Sequence, residues 1–523
     1  MTRNQKSSLC RVKIRIPAAI KLIDLYVKEI GSEPSPKDLQ SLAWILNSML
    51  SSAANYYSDD QSSERPFFPF CSGILVKTVR DYKKYLNMLV RMGIVETDNR
   101  FIKGEKCRGY RFTSNILSEG LTLFEITYWP IRKAIIRSRK KKVKTPYGYS
   151  HLKKWWNGEL KFDKKGAVGY LEAAIKKNKD MINKLKSDKN NNSTKNVEQL
   201  INENEKISLA IIISEKFREP FSILVDKSGY RMHTMLTRLK RDLRKFLSYG
   251  EKKLVGIDIK NSQPYLMTLL LRKEFWNGEN ELEIGKVKRD NNKKRSKEII
   301  CDIKCIITLT ESLETLDGEG FRRNNFVQDV VDGSFYERLQ EEFTGLRKGG
   351  YSRDDVKKLV YVILFGDKRS QHFPVYKAFK KRYPEVSKLI EAVKKDDHRA
   401  LPLILQRLES FLVLQVICKK ISKKRPDIPL FTIHDSIVTT EGNEMYVMQA
   451  MKEELEKKVG LSPKLSIQPF SEKVKQLPTI IYPVIRSLRE RPITAPGMFK
   501  PFAFYKTLFP NRYKLLNETR NTQ

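Results

Sequence analysis

Two acids stand where apolar runs would ordinarily continue. In LFTIHDSIVTT, Leu430 to Thr440, a strand-like sequence is broken by His434 and Asp435, and in KLVGIDIKNSQP, Lys253 to Pro264, a short apolar run ends on Asp258. A carboxylate in such a run is costly to bury unless something pairs with it. Either a turn exposes it or chemistry uses it, and two carboxylates from separate elements are a minimal clamp for divalent cations. Between the two acids lies YSRDDVKKLVYVILFGDKR, Tyr351 to Arg369, where Arg353, Lys357, Tyr361 and Phe365 recur at four-residue steps. On a helix these two cations and two rings share one edge, suited to meeting a triphosphate and stacking on a base. The rim of an ordinary core can carry the same stripe.

The elements that must position these side chains are legible locally. Leu254, Val255 and Ile257 predict a short buried strand ending at Asp258, after which Asn261 or Ser262 caps a helix whose first turn tolerates Pro264. Taken alone, Asp258 caps a turn or holds a metal. Ser352, with Asp355 three residues on, predicts an N-cap box and a helix running toward Gly366 whose apolar arc is Val356, Leu359, Val360 and Ile363. IPLFTI and SIVTT predict a hairpin with His434 and Asp435 at its tight connection, so the Asp435 carboxylate is expected to project from the tip.

The chain has 523 residues, enough for more than one domain, and its 100 Lys plus Arg against 61 Asp plus Glu give a formal charge of +39. A small peptide-like binder is excluded. Such an excess suggests a polyanionic partner, nucleic acid first and a membrane surface second. No uninterrupted apolar stretch approaches a membrane span, and the start, MTRNQKSSLCRVKIR, lacks the apolar core of a secretory signal, so a soluble, intracellular, cytoplasmic protein is expected. The six cysteines are scattered, Cys301 and Cys305 lack partners for a zinc site, and all are expected to be reduced structural thiols.

Residues 1–65 read as a mixed N-terminal helical segment. Over 66–115, Val79, Tyr82, Leu86, Leu89 and Val90 recur at helical spacing before Gly93, and IVETDNRFIKGEKCRGYRF then predicts two short strands joined around Lys103 and Gly104. A helix followed by a basic hairpin resembles a winged helix, with Lys103, Lys106, Arg108 and Arg111 on the wing to contact DNA. A small packing domain with a solvated hairpin is the alternative. Residues 116–204 form a lysine-rich, thumb-like helical or linker region with a flexible tip expected at 186–197, around KSDKNNNSTKN.

In the order first acid, helix, second acid, these stretches resemble the palm and fingers motifs of the family A DNA polymerase superfamily, which is related to the phage-type single-subunit RNA polymerases. Asp258 matches the first catalytic aspartate of the family and Asp435, in the HD pair, the second. Arg353, Lys357, Tyr361, Phe365 and Gly366 match its fingers helix. SGYRMHTMLTRLKRDLRKFL, from Ser228, resembles the segment ahead of the first acid, with Arg231 and Arg244 toward the primer–template. LQRLESFLVLQVICKKI resembles the helix before the second acid, with Gln406 and Glu409 facing the site. The resemblance covers residues 205–475 and leaves the basic tail, 476–523, aside.

The resemblance implies an α+β, right-hand polymerase with an antiparallel palm sheet and mainly helical fingers and thumb, preceded by the winged-helix-like domain. It implies a DNA-directed DNA polymerase using two Mg2+ ions, with Mn2+ as a substitute, held by Asp258, Asp435 and the carbonyl of Ile259. Lys357 and Arg353 would neutralise the triphosphate, with Lys357 protonating pyrophosphate. Tyr361 would sit by the sugar and Phe365 by the templating base, while Arg231, Arg244, Gln406 and His434 would touch nucleic acid. Gln263, five residues after Asp258, stands where family DNA polymerases usually have a Glu that blocks a ribose 2′-hydroxyl, so deoxynucleotides are expected. Ser436 departs from the Glu of the DNA polymerases and matches the RNA polymerases. No segment before 205 offers the carboxylates of a proofreading exonuclease. Partners would be a primer–template, deoxynucleoside triphosphates and a replication helicase, in a phage, plasmid or mobile element, with no membrane. The alternatives are a phage-type RNA polymerase, or a replication initiator that binds DNA and keeps an inactive palm.

Overall fold

The computed structural model describes residues 12–57, 66–76, 78–102, 107–139, 146–187, 193–218, 221–272, 275, 318–395 and 397–470. The expected contacts Lys103 and Lys106, and the tail 476–523, lie outside the described residues. The fold is mixed α and β, and all described strand pairs are antiparallel.

A central sheet is organised on strand Lys252–Ile259. Residues Leu254 to Ile257 pair with strand Ser436–Thr440, and Val255 to Ile259 pair with strand Leu465–Pro469. Strand Phe431–Ile433 continues the sheet beyond Ser436–Thr440, while Leu247–Tyr249 and then Leu160–Phe162 extend it the other way. The chain supplies apolar residues to both faces, as a doubly covered strand requires. Leu254, Phe431 and Val438 face one apolar cluster; Ile257, Ile259 and Ile437 face another.

The first cluster also takes in residues from well before the sheet, including Val12, Ile45, Leu89, Phe112, Leu171 and Ile211. The divisions expected at 65/66 and 115/116 therefore cross one continuous core. Strand Val12–Pro17 pairs with Leu121–Ile126, so the N-terminal segment is not purely helical. Likewise Leu160–Phe162 carries the central sheet across the expected boundary at 204/205. Of the tip expected at 186–197, residues 186–187 belong to helix Lys164–Ser187 and 193–197 to helix Ser193–Glu215; 188–192 lie outside the described residues.

In the segment 66–115, helix Tyr82–Arg91 is followed by strands Val95–Thr97 and Gly109–Phe112, with Phe68–Pro69 as third strand. The connection is long rather than tight. Asp98 Oδ1 accepts from the N–H groups of Arg100 and Gly109 at 3.0 and 2.8 Å, ordering its two ends. Arg108 is exposed, and Arg111 pairs with Glu96 across the strands. The expectation of six reduced thiols is overturned: Cys71 and Cys107 form a disulfide, their Cα atoms 5.4 Å apart, tying the hairpin to the preceding segment. Cys418 is free and buried, whereas Cys10, Cys301 and Cys305 lie outside the described residues.

The second cluster is built by the helices after the first acid. Helix Arg353–Phe365 buries Val356, Leu359, Val360 and Ile363 at 2 % exposure or less, which is the expected arc. Helix Ala400–Lys424 differs from expectation on one point. By length and composition it is apolar enough to cross a membrane, with a mean hydropathy of 1.6, although 61 % of that window is buried inside the protein. Its middle, Phe411–Ile417, is wound as a π-helix. His151 Nε2 lies 2.8 Å from the Leu414 carbonyl oxygen in that segment, satisfying a backbone group of the irregular turns.

Lys394 closes the far end of helix Arg353–Phe365. Its Nζ donates to the carbonyls of Ile363 and Gly366 at 3.0 and 2.9 Å, and the residue is 2 % exposed. A buried ammonium is costly, and burial pushes Lys394 down to about 7 despite the opposing charge of Asp367. Because the folded value lies below the unfolded one, the stability that the neutral amine contributes is fully present above the ordinary lysine value and lost as pH falls toward 7. In thermal melts, the stability advantage of the parent over Lys394→Met is expected to grow between pH 7 and about 10. A gap that is constant with pH refutes this account of Lys394.

Candidate active site

The two acids are brought together by strand pairing. Register Ile257 opposite Ile437 puts Asp258 beside Ser436, and the Ser436 hydroxyl donates to Asp258 Oδ1 at 2.5 Å. On the other side of the strand, Gln468 Nε2 lies 3.4 Å from Asp258 Oδ2. Asp258 thus ends a buried strand, as expected. Asn261 occupies the following N-cap position in a left-handed conformation, φ 55°, without a side-chain capping bond, and helix Ser262–Leu270 begins next.

Ile433 pairs with Ser436, so His434 and Asp435 are the two-residue connection of a hairpin. His434 has φ 55°, the left-handed region in which such turns usually place Gly. A non-Gly residue held there costs energy and is a common mark of a functional turn.

The expected projection of Asp435 from an exposed tip is corrected. Its side chain is half-buried and faces other acids. Desolvation first, then the charges of Glu409 and Asp258, push its carboxyl up to about 8. The physical reason lies outside the hairpin: Glu409, 2 % exposed and far from the turn in sequence, stands in the same field. Burial also raises the Glu409 carboxyl, against the opposing pull of Arg231.

The stripe helix has its N-cap box as expected, with Ser352 Oγ accepting from the Asp355 N–H at 3.1 Å and Asp355 Oδ2 accepting from the Ser352 N–H at 3.2 Å. Arg353, Lys357, Tyr361 and Phe365 line its accessible edge, the last two rings 5.4 Å apart. The two cations are already engaged. Arg353 Nε donates to Glu337 Oε1 at 2.6 Å, Lys357 lies 3.5 Å from Asp354, and both sit over the ring of Tyr336 at 5.4 and 5.9 Å. Tyr361 is 40 % exposed, yet its phenol is raised by desolvation and then by Asp435 and Glu409. Tyr361, of the stripe, therefore stands within the field of the acids.

The residues expected at the primer–template side lie around a hairpin. Strands Leu224–Val225 and Met232–His233 enclose a loop held by Asp226, which accepts from the N–H groups of Ser228, Gly229 and Arg231 and from His233 Nε2. Burial opposes ionisation of Asp226, but the bonds from His233 and Gly229 hold its carboxyl far below the usual range. A Cβ on Gly229 would meet Gln406 Oε1 at 2.7 Å, so Gln406 packs against this loop. Arg231 is directed at Glu409, and Arg244 is lowered by burial, with Arg241 and then Asp258 as its charged neighbours. Gln263 is 8 % exposed and donates to Glu409 at 2.5 Å. Ile259 ends the central strand, paired with Leu465.

Motif reasoning missed Asp226, Tyr336 and Lys394, whose partners are remote in sequence. For Asp226, the turn sequence DKSG was a usable local signal.

Among the described residues, no group of three or more His, Cys, Asp or Glu side chains has the arrangement of a metal site. Asp258 and Asp435 nonetheless suit a divalent cation, because their mutual repulsion is of the kind that bound positive charge relieves. The same repulsion gives a stability test. The folded value of Asp435 exceeds the unfolded one, so its favourable contribution is present at acid pH and lost as pH rises through about 8. Asp435→Asn is expected to raise the unfolding midpoint more at about pH 9 than at about pH 5. An equal or larger gain under the acid condition refutes the clustering of acids described here.

No family model matches the sequence, and no curated protein matches it. Among solved structures, it is similar to the POL domain of Pol1 from M. smegmatis in complex with DNA primer-template and dNTP. The similarity covers 86 % of this chain and 79 % of that chain, at 10 % identity and a TM-score of 0.29, and at that level it carries no conclusion about fold or activity.

Proposed function

We propose that the protein catalyses template-dependent nucleotidyl transfer, as a DNA-directed DNA polymerase in the replication of a phage, plasmid or mobile element. The observation that supports this most is the convergence of Asp258, on the central strand, and Asp435, in the hairpin turn joined to that strand, with Tyr361 of the stripe in their field.

In this scheme Asp258, Asp435 and the carbonyl of Ile259 would hold divalent magnesium. When bound, such ions activate a primer 3′ oxygen and stabilise the leaving pyrophosphate. Arg353 and Lys357 exchange Glu337 and Asp354 for the β and γ phosphates, and their charge favours the transition state over the ground state. Lys357 delivers a proton to the departing pyrophosphate. Tyr361 and Phe365, adjacent rings on the accessible edge, offer a surface for sugar and base. Arg244, Gln406 and His434 line the primer–template side. Arg108, with Lys103 and Lys106, contacts duplex DNA from the winged-helix-like segment, where a phosphate-tracking role adds salt-dependent affinity.

A second reading, RNA synthesis on a DNA template, is favoured by one observation. The short Ser436 side chain spends its hydroxyl on Asp258, in the place where DNA polymerases resembling this chain carry a Glu.

The test is primer extension by the purified full chain with magnesium, comparing dNTPs with rNTPs. Incorporation is expected, and Asp258→Ala or Asp435→Ala is expected to reduce it by about a thousandfold or more. Arg353→Ala should raise the nucleotide KM by about tenfold, as loss of a charge-assisted phosphate contact would. If neither nucleotide class is incorporated on any primed template, nucleotidyl transfer is refuted.

A further inference from the structure

Helix Trp129–Arg139, WPIRKAIIRSR, carries four cations and no acid. Its inner face is apolar: Ile131 and Ile135 are buried in the cluster that also holds Val12, Ile45 and Ile126. On the opposite edge Trp129, Lys133 and Arg137 follow one another at four-residue steps, each about 6 Å further along the axis, and all three are exposed. Trp129 is 59 % exposed, whereas Trp44, Trp155 and Trp156 are partly buried against apolar clusters. Lys133 and Arg137 form no ion pair among the described residues. The one acid of the preceding strand Leu121–Ile126, Glu125, stands opposite Lys13 in the strand register.

This edge is rigidly mounted. Gln40, on helix Pro36–Tyr57 and 6 % exposed, turns its whole amide on the two residues before Trp129. Its Oε1 accepts from the Thr127 and Tyr128 N–H groups at 2.7 and 2.6 Å, and its Nε2 donates to Thr127 Oγ1 at 2.6 Å. Two backbone donors can meet only the carbonyl end, so the orientation of the amide is fixed. The Arg132 N–H then donates to the Tyr128 carbonyl oxygen at 3.0 Å, and Pro130 occupies a first-turn position where its missing N–H leaves nothing unpaired. A large ring held in water on a fixed mount forgoes the free energy that its burial would release. The neighbouring charge indicates what would cover it. Cations without acidic partners are complementary to a polyanion and not to an apolar protein face.

We propose that the edge formed by Trp129, Lys133 and Arg137 binds single-stranded nucleic acid, with the Trp129 indole stacked on an unpaired base and the two cations on the phosphates that follow. A single strand is the form that fits. Every base has a π face, but in a duplex those faces are already stacked, so an exposed indole gains a partner only where the strand is open. Phosphates spaced along an extended backbone meet cations spaced along a helix edge, and the formal charge of +39 attracts such a strand over a longer range. The sequence directly after the helix, KKKVK from Lys140 to Lys144, adds four more cations to the same stretch of chain. Neither the two acids nor the stripe helix takes part, so this surface goes beyond the nucleotidyl-transfer reading and stands or falls without it.

Equilibrium binding by the full chain, without nucleotide or metal, tests the proposal. The probes are fluorescently labelled oligothymidylate and oligouridylate, a DNA duplex of the same length, and phosphatidylserine vesicles; a preference between the first two assigns the strand to DNA or RNA. Trp129→Leu removes the ring and is expected to weaken single-strand binding about tenfold while leaving duplex binding unchanged, and Trp129→Phe, which keeps a ring, is expected to retain most of the parent affinity. Lys133→Ala combined with Arg137→Ala is expected to reduce the slope of log K against log salt by about 1.4 in magnitude, as loss of two single-strand phosphate contacts would, and provides a test independent of the tryptophan. Unchanged single-strand affinity in Trp129→Leu overturns the proposal, as do equal losses for single strand and duplex. Binding of the parent to vesicles but to neither oligonucleotide assigns the edge to a membrane surface and overturns it as well. Because no incorporation is measured, a chain that fails in primer extension can still bind here, and failure here leaves the nucleotidyl-transfer reading untouched.

Discussion

Repulsion between neighbouring carboxylates, two half-buried and one fully buried, is the constraint around which the site is arranged. Asp435 is pushed up by desolvation and by Glu409 and Asp258, and Glu409 is itself raised by burial. Left alone, such a cluster would open or take up protons. It is held because each acid hangs from a different rigid element: Asp258 from the central strand, Asp435 from a two-residue hairpin paired to that strand, and Glu409 from the long helix Ala400–Lys424. The apolar packing on both faces of the sheet supplies the free energy that keeps these elements close.

The cations near the site are held in two ways. Arg231 pairs directly with Glu409, while Arg353 and Lys357 stand on the stripe helix with partly exposed acidic partners, Glu337 and Asp354, and over the ring of Tyr336. The distinction matters physically. A buried, bidentate pair such as Arg231–Glu409 is expensive to break, whereas pairs that are nearly half exposed exchange readily with an incoming anion. The direct pairing makes Arg231 a support for Glu409, and the loosely paired cations are the more readily exchanged ones.

Supporting structure follows the same logic. The loop 226–233 is closed by Asp226, which gathers backbone and side-chain donors so that Arg231 leaves the loop toward Glu409. Lys394 ties down the C-terminal carbonyls of the stripe helix at the cost of a buried amine. The π-helical segment Phe411–Ile417 begins directly after Ser410, following the turn that carries Glu409, and His151 accommodates its irregular backbone. Each of these departs from what local propensity favours, and each lies beside the acids or the stripe.

What the sequence determined by itself was local. Ser352 and Asp355 announced the start of the stripe helix, the apolar arc from Val356 to Ile363 set its buried face, and the break at His434 and Asp435 announced a hairpin, because caps, helical period and turn chemistry all act over a few residues. Tertiary structure alone decided what those residues meet. Asp435 was expected to project from an exposed tip and is instead half-buried beside Asp258 and Glu409, which are remote from it in sequence or on another strand. Gln263 was read only for its length, and its amide is in fact bound to Glu409, 146 residues away. The thiols at Cys71 and Cys107 were expected to be free and are joined, because the long connection after Thr97 returns one to the other. Long-range proximity, and with it burial and pairing of charge, depends on how separate elements pack; no short stretch of sequence carries that information.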